Sequence, residues 1–230
     1  MRFKKVVATI LIGITIFGFV GCSTKENIKE SNKLNVVSDI EVKENNINNS
    51  LKTLNNSKEI IISKNVLSVN KSYDILVDNK SFGEVNGEFI KITGDKLHFK
   101  DNMGNVIASE KQIKRWGIKI NRLAEVYNYK DEVIGYIGEE KINDMFKLGY
   151  IFHFYDKDKN EIGSSKQQVF SLLDTFKIYD NNNNLCYEID AEFSLIDKYI
   201  IKVHNNSTIS AEQAVFLTII LNSISKSSKR

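Results

Sequence analysis

The sequence predicts an all-β domain with one buried helix, in the form of a closed antiparallel β-barrel of about twelve strands around a C-terminal hydrophobic helix. Three observations lead to this prediction. Short runs of β-forming residues recur from residue 59 onward, clusters of Asp, Asn and Gly separate them, and an almost wholly apolar segment stands near the end of the chain. A closed sheet is expected because it has no exposed edge and can cover an apolar helix on every side.

The spacing of the turn clusters predicts the number of strands. Asp and Asn side chains bond to their own backbone and tolerate left-handed conformations, so these clusters mark turns. Five clusters begin with an aspartate, and successive aspartates are 23, 30, 25 and 24 residues apart: Asp78, Asp101, Asp131, Asp156 and Asp180. A strand with its turn takes roughly 8–12 residues. Each interval therefore holds two strands, which gives about a dozen in total.

One segment departs from the strand pattern and predicts a helix over 211–224. Ser210 is followed three residues later by Gln213, which is the spacing of a capping box at a helix start. Residues 214–221 are then apolar apart from Thr218. Such a helix is buried on all sides or lies in lipid. The segment from 214 to 224 spans only about 16 Å, roughly half of a bilayer core, so burial inside the barrel is favoured.

Four segments of the domain resemble those of a known superfamily. They are KLHFKDNMGNVI at 96–107, FKIYDN at 176–181, LIDKYII at 195–201 and the helix at 211–221. In this order they resemble the tubby-like C-terminal superfamily, and within it the LURP-one-related group and its bacterial relatives. The resemblance covers about 59–224 and implies a barrel of about twelve strands around a C-terminal helix. Better-known members bind phosphoinositides or act on phospholipids, so it also implies lipid contact, but none of their lipid-binding residues matches a position here.

The N-terminus resembles a bacterial lipoprotein signal sequence. A basic start at 2–5 precedes an uncharged, largely apolar run at 6–20, which is short for a transmembrane helix and suits a secretory signal. Gly21 and Cys22 match the lipoprotein cleavage site, whereas Phe19 departs from it because leucine is usual there. The resemblance implies a lipidated Cys22 and anchorage to the cell membrane on its extracytoplasmic side. An uncleaved anchor and a plain signal with a chance cysteine are the alternatives.

Composition divides the rest of the chain. Residues 22–57 are rich in Asn, Lys, Glu and Ser, which predicts a disordered tether after the lipidated N-terminus that includes a transient helix at 38–55. The barrel is expected over 58–224 and a frayed basic tail over 225–230. From residue 22 onward 29 Lys and Arg balance 29 Asp and Glu, which excludes the broad basic field of nonspecific nucleic-acid binding.

The histidines and one acidic loop do not form recognisable metal sites. The histidines at 98, 153 and 204 lack metal-ligand spacing, and alternation predicts that His98 and His153 face away from their apolar neighbours. Residues 156–160 begin like a calcium-binding loop but lack the glycine and the final glutamate that such a loop requires. A plain hairpin turn is therefore predicted there.

Adjacent carboxylates and the remaining thiol favour structural explanations. The acidic pairs 131–132 and 139–140 are each adjacent on a strand or turn, and adjacent strand residues face opposite ways. Neither pair therefore suits paired-acid catalysis, and both are expected on the solvated surface. Cys186 is expected to share a strand face with Glu188 and Asp190, whose charges raise a thiol pKa and work against a reactive thiolate.

A basic cluster beside the only tryptophan is the candidate contact site. Lys111, Lys114, Arg115 and Trp116 are close in sequence, and a tryptophan with basic side chains suits a membrane interface or an anionic headgroup. The alternative is that Trp116 packs in the core and the basic side chains are simply solvated.

These features together predict a membrane-anchored lipoprotein that acts as a non-enzymatic binding module. Its expected partner is a membrane surface, a lipid headgroup or an envelope protein, and it reaches the membrane through its N-terminal lipid. No cofactor, metal or nucleic acid is expected to bind. The alternative function is an envelope hydrolase whose site the motifs do not reveal.

Overall fold

The computed structural model describes the chain at 26–65, 72–87, 96–116, 120–144, 147–166, 168–169, 175–193 and 197–227. The predicted signal sequence at 1–21 and the predicted lipid attachment at Cys22 lie outside these ranges. The chain divides into two compact units, one ending at Glu41 and the other beginning at Val42. In the first unit the described backbone is helical from Glu26. The barrel and all the side-chain contacts below belong to the second unit.

The described ranges contain two helices and thirteen strands. In chain order they are α1 (Glu26–Asn55), β1 (Glu59–Asn65), β2 (Ser72–Val77), β3 (Lys80–Asn86), β4 (Lys96–Asp101), β5 (Val106–Trp116), β6 (Ile120–Asn128), β7 (Val133–Asp144), β8 (Lys147–Asp156), β9 (Glu161–Ser164), β10 (Gln168–Val169), β11 (Phe176–Asp180), β12 (Leu185–Phe193), β13 (Asp197–Val203) and α2 (Ala211–Ser227). Within the described residues, neither helix has a stretch that is both long and apolar enough to cross a membrane.

Twelve of the described strands form a closed antiparallel barrel, which confirms the predicted fold class. Consecutive strands pair from β1 to β8, β1 also pairs with β13, and the sheet continues through β12 and β11 to β9. The pairing of β9 with β8, from Ser164 opposite His153 to Glu161 opposite Tyr155, closes the ring. The two-residue strand β10 pairs with β8 and is not part of the ring.

The inside of the barrel is filled by α2, as predicted. Alternate strand residues point inward, among them Phe99 on β4, and form one hydrophobic core with the helix. No residue at 211–221 is more than 6% exposed. Phe216 packs edge-to-face on Phe99, with ring centroids 6.4 Å apart. Because α2 continues to Ser227, the first half of the predicted basic tail at 225–230 is helical.

A capping box and one glycine fix the start of α2. The Gln213 backbone N–H donates to Ser210 Oγ (3.2 Å), and the Ser210 N–H donates to Gln213 Oε1 (3.1 Å), which confirms the predicted helix start. Gln213 Nε2 donates to the carbonyls of Tyr136 and Tyr155, 3.4 and 3.3 Å away, and so ties the helix to β7 and β8. A Cβ at Gly135 would lie 2.6 Å from that Nε2, so a larger residue would displace the amide.

Three hairpin turns share one hydrogen-bond pattern, which explains the repeated aspartates. In each turn, Oδ1 of the leading aspartate accepts bonds from the backbone N–H groups two and four residues later, and Oδ2 accepts one from the asparagine amide four residues later. The leading residues are Asp101, Asp156 and Asp180. The plain turn predicted at 156–160 is thereby confirmed.

The turn between β6 and β7 follows the same pattern with a different leading residue. Asn128 Oδ1 accepts the N–H groups of Lys130 and Glu132. Asp131, the predicted first residue of this cluster, instead occupies the left-handed position with a φ of 60°. Aspartate and asparagine both tolerate that conformation, so the composition of the cluster does not reveal which residue leads the turn.

The structure corrects the prediction of a disordered tether up to residue 57. The last part of α1 packs on the barrel: Ile47 and Leu54 are 3% and 0% exposed and belong to the core, and Leu51 packs against it. Spacings of four and three residues put these side chains on one helix face. The isolated apolar side chains of this polar segment are thus buried because they pack against the barrel. The fold therefore contains a second helix that the predicted fold class lacks.

Polar contacts hold the same segment of α1 in place. Ser50 Oγ donates to Asp101 Oδ2 (3.0 Å), and Lys130 Nζ lies 3.2 Å from Glu44 Oε1. The side-chain amide of Asn206 donates to the carbonyl of Asn55, where α1 ends. Residues 42–55 are consequently part of the folded domain.

Replacing Leu54 by alanine tests this correction. Because Leu54 is fully buried, Leu54→Ala should lower the free energy of unfolding by about 2–5 kcal/mol. Val42→Ala is the matched control on the same helix, since Val42 is 58% exposed and its loss should change stability by less than about 0.5 kcal/mol. Chemical denaturation measures both values. Equal, small effects would mean that the helix does not contribute to the core.

Candidate functional site: the β5–β6 hairpin

The four residues of the predicted contact site all lie on β5. This strand pairs with β6 from Ala108 opposite Asn128 to Trp116 opposite Ile120, so its end forms a hairpin with the start of β6. Because successive residues of a strand face opposite sides of the sheet, position 111 is on one face and positions 114 and 116 are on the other. The hairpin therefore brings the predicted residues onto one strand but not onto one face. The side chains of 114–116 lie outside the described residues.

Strand pairing concentrates positive charge on the hairpin. Lys114 lies opposite Arg122 on β6, and Lys111 lies opposite Lys96 on β4. Like charges directly opposite each other destabilise a sheet. Acids on the other neighbouring strands offset part of this effect, since Lys111 also lies opposite Glu125 and Arg122 also lies opposite Glu139. Between Glu110 and Glu125 the sequence contains five Lys and Arg and no acid.

Arg122 is a basic residue of this hairpin that sequence reasoning missed. Its side chain is 53% exposed, and its Nε lies 3.8 Å from Glu139 Oε1 on β7, which is too long for a hydrogen bond. The signal that could have found it is in the sequence: Gly117 is of a type common in turns, and basic residues stand both before it and after it.

The acid nearest to Arg122 offers weak compensation. Glu139 is 4% exposed, and burial raises the pKa of its carboxyl, while Arg122 and Lys141 lower it to a smaller extent. This corrects the prediction that residues 139–140 both lie on the solvated surface. Strand alternation predicts that the two glutamates face opposite sides of the sheet, but it does not show that Glu139 is on the side that faces the barrel interior.

The barrel interior holds two further buried acids. Glu110 and Glu212 are 1% and 6% exposed, and each has one carboxylate oxygen without a hydrogen-bond partner among the described residues. Burial raises the pKa of Glu110 to about 8, and burial is also the main cause that raises the pKa of Glu212. Glu110 faces inward because it lies opposite Leu97 and Val126, both of them core residues.

His153 is held between carboxylates of the two neighbouring strands. Its Nδ1 lies 2.9 Å from Glu161 Oε1 on β9, and its Nε2 lies 2.9 Å from Glu140 Oε2 on β7. Carboxylates only accept hydrogen bonds, so both contacts form when each ring nitrogen carries a proton. The cluster spans the β8–β9 pairing that closes the barrel, so its contribution is structural. The contacts were not predictable because the two glutamates lie 13 and 8 residues away along the chain.

His98 is also on the outside of a strand, and His204 directly follows the end of β13. His98 alternates with buried neighbours as predicted, and burial of its ring lowers its pKa, with further lowering by Lys96 and Lys100. His204 Nε2 lies 3.4 Å from Glu188 Oε2. In the part of the chain that the structure describes, no three His, Cys, Asp or Glu side chains are grouped so that they could hold a metal ion.

Cys186 is more deeply buried than its predicted face suggests. Its side chain is 0% exposed and belongs to the core, because the pairing of β12 with β11 shifts register beside it. Burial raises the pKa of the thiol to about 11, with a smaller contribution from Asp180. The prediction named Glu188 and Asp190 as the cause, and the structure replaces them with burial. A thiol in this state is a poor nucleophile.

Comparisons with known proteins give no family match. No protein-family profile matches the chain, and no curated protein matches it. A similar solved structure is the X-ray structure of a protein from Arabidopsis thaliana, with a TM-score of 0.45 and 11% sequence identity. The similarity covers 74% of this chain and 93% of that chain.

Proposed function

We propose that the protein is a membrane-anchored, non-enzymatic binding module whose β5–β6 hairpin contacts an anionic lipid surface. The observation that carries this proposal is the hairpin charge: Lys114 opposite Arg122, within a segment of five cations and no acid. Like-charge pairs directly opposite each other are unfavourable in a sheet, and departures of this kind are expected at functional sites. Attraction to anionic lipid headgroups is a function that such a pair could serve.

The residues at the end of the hairpin suit the membrane interface. Lysine and arginine near a negative leaflet each contribute about 1 kcal/mol of attraction. Trp116 is the only tryptophan, and tryptophan is enriched where headgroups meet hydrocarbon. The likeness of the sequence to the tubby-like superfamily, with its lipid-binding members, agrees with this proposal.

A binding surface is favoured over an enclosed reaction site because of how the barrel is filled. Small-molecule and catalytic sites in barrels use the interior or its mouth. Here α2 occupies the interior, with residues 211–221 no more than 6% exposed. A partner is therefore expected at the ends of the strands or on the outside of the barrel.

The proposed anchor is a lipid on Cys22. Diacyl attachment gives stable anchorage, and a basic hairpin adds a second attraction to the same membrane. A protein held at the surface in this way needs only weak headgroup affinity, because the lipid anchor raises the effective concentration of the hairpin at the membrane. Mass spectrometry of the protein from membranes should find a lipidated Cys22 as the first residue, and an intact Met1 would contradict the anchor.

Vesicle co-sedimentation tests the hairpin directly. A chain of residues 23–230, which lacks the proposed lipid, should bind phosphatidylglycerol vesicles at low salt and bind less as salt rises. Lys114→Ala/Arg115→Ala removes two charges, so the binding constant should fall about 30-fold at low salt. Arg122→Ala should lower it about fivefold.

The matched control removes two charges elsewhere. Lys43→Ala/Lys52→Ala acts on exposed lysines of α1 and should leave vesicle binding close to that of the unmodified chain. Equal losses in both double variants would mean that net charge, not the hairpin, drives binding. Absence of binding to any vesicle would refute the lipid surface and leave an envelope protein as the partner.

A further inference from the structure

A cleft of about 290 Å³ lies between α1 and two hairpin turns of the barrel. Its α1 wall consists of Asn46, Asn49, Ser50 and Thr53. These residues are spaced by three, one and three positions, so they form a polar stripe along the helix. The stripe runs beside the apolar residues with which α1 packs on the core.

The opposite wall comes from the β2–β3 turn and the β4–β5 turn. Lys80 and Ser81, the first two residues of β3, line the cleft beside the first turn, and Asn102 and Met103 line it from the second. Phe82, which is 7% exposed, adds a buried aromatic surface. The cleft thus combines amide and hydroxyl groups with a small apolar area and one ammonium group.

Asp101, an acid beside the cleft, has its carboxylate oxygens occupied. Asp101 Oδ1 accepts the N–H groups of Met103 and Asn105, and Oδ2 accepts the Ser50 hydroxyl and the Asn105 amide. These four bonds use the acceptor positions of the carboxylate. Lys80 therefore keeps its charge available to the cleft.

Several polar groups of the cleft remain open to a ligand. Among the described residues, the side-chain amides of Asn46, Asn49 and Asn102 and the ammonium group of Lys80 have no hydrogen-bond or ion-pair partner. Each amide offers both donors and an acceptor, which is the pattern that a hydroxyl group complements.

We propose that this cleft binds a sugar acid, a hydroxyl-rich ring that carries one carboxylate. The three amides match its hydroxyls, Phe82 and Met103 offer contact to the apolar C–H face of the ring, and Lys80 pairs with the carboxylate. The volume is at the lower end of the range for small-molecule sites, which fits one ring better than a long chain. The ligand is a free sugar acid or the end of an acidic glycan.

Titration of the chain of residues 23–230 with glucuronic acid and glucose tests the proposal. The two sugars differ at one carbon, which is a carboxylate in the first and a hydroxymethyl group in the second. In nitrogen-15 NMR spectra, glucuronic acid should shift the side-chain amide signals of Asn46, Asn49 and Asn102. Lys80→Gln should weaken its binding about tenfold and leave glucose binding unchanged.

Lys43→Gln is the matched control, because Lys43 is an exposed lysine of α1 outside the cleft. It should leave both titrations unchanged. Equal binding of the two sugars, or no shift of the three amides at millimolar sugar, would overturn the proposal. A glucuronate-terminated oligosaccharide that binds more tightly than the monomer would identify the end of a glycan as the natural source. No vesicle is present, so the result is independent of the β5–β6 hairpin.

Discussion

A chain that ends at Thr208 should lose its cooperative thermal transition. The truncation removes α2, and the side chains that line the barrel would then surround an empty space. The cost of a cavity rises by about 24 cal/mol per Å³, so the loss of a whole helix exceeds the stability of an ordinary domain. A graded version is Phe216→Ala, which should cost about 3–5 kcal/mol because Phe216 is fully buried against Phe99.

Calorimetry and circular dichroism measure the effect of the truncation. A chain that ends at Ser227 is the control, since it keeps α2 whole and should melt like the full chain. A Thr208 truncation with an unchanged cooperative transition would contradict a helix-filled barrel.

The stability of the domain should fall as the pH rises from about 5 to 9, and Glu110 should be a principal cause. Its pKa rises from the ordinary 4.5 to about 8 in the folded state. Between these values the unfolded chain releases a proton that the folded chain keeps, so higher pH favours unfolding. The shift corresponds to on the order of 5 kcal/mol, which is fully lost above the folded-state pKa.

Glu110→Gln separates this contribution from the rest. At pH 9 the variant should be more stable than the unmodified protein by several kcal/mol, and at pH 5 the two should be nearly equal. The free energy of unfolding of the variant should still depend on pH to some extent, because burial also raises the pKa values of Glu139 and Glu212. Urea denaturation at both pH values measures the difference in stability. Glu59→Gln, at the first residue of β1, serves as the control. Parallel pH curves for Glu110→Gln and the unmodified chain would contradict the assignment.

The barrel was predictable because its signals are local and repeated. The strand count followed from the spacing of leading aspartates, which the turns of Asp101, Asp156 and Asp180 explain. The helix start followed from the capping spacing of Ser210 and Gln213. Each turn and the helix cap depend on residues within five positions of one another.

The features that escaped prediction depend on contacts between distant parts of the chain. Leu54 is buried only because the finished barrel covers one side of α1, and a polar segment gives no local sign of that. Glu139 looked like a surface acid because alternation assigns faces without telling which face is inside. Arg122 joins the candidate site through its pairing with Lys114, and that pairing needs the correct register.

The central claim is that the β5–β6 hairpin meets an anionic membrane surface, and the fluorescence of Trp116 tests it most directly. Because Trp116 is the only tryptophan, its emission reports on this hairpin alone. Phosphatidylglycerol vesicles should shift the emission of the chain of residues 23–230 to shorter wavelength, as an indole does on leaving water, and phosphatidylcholine vesicles should not. Lys114→Ala/Arg115→Ala should abolish the shift at moderate salt. Emission that stays constant while phosphatidylglycerol vesicles bind the protein would show that another surface makes the contact.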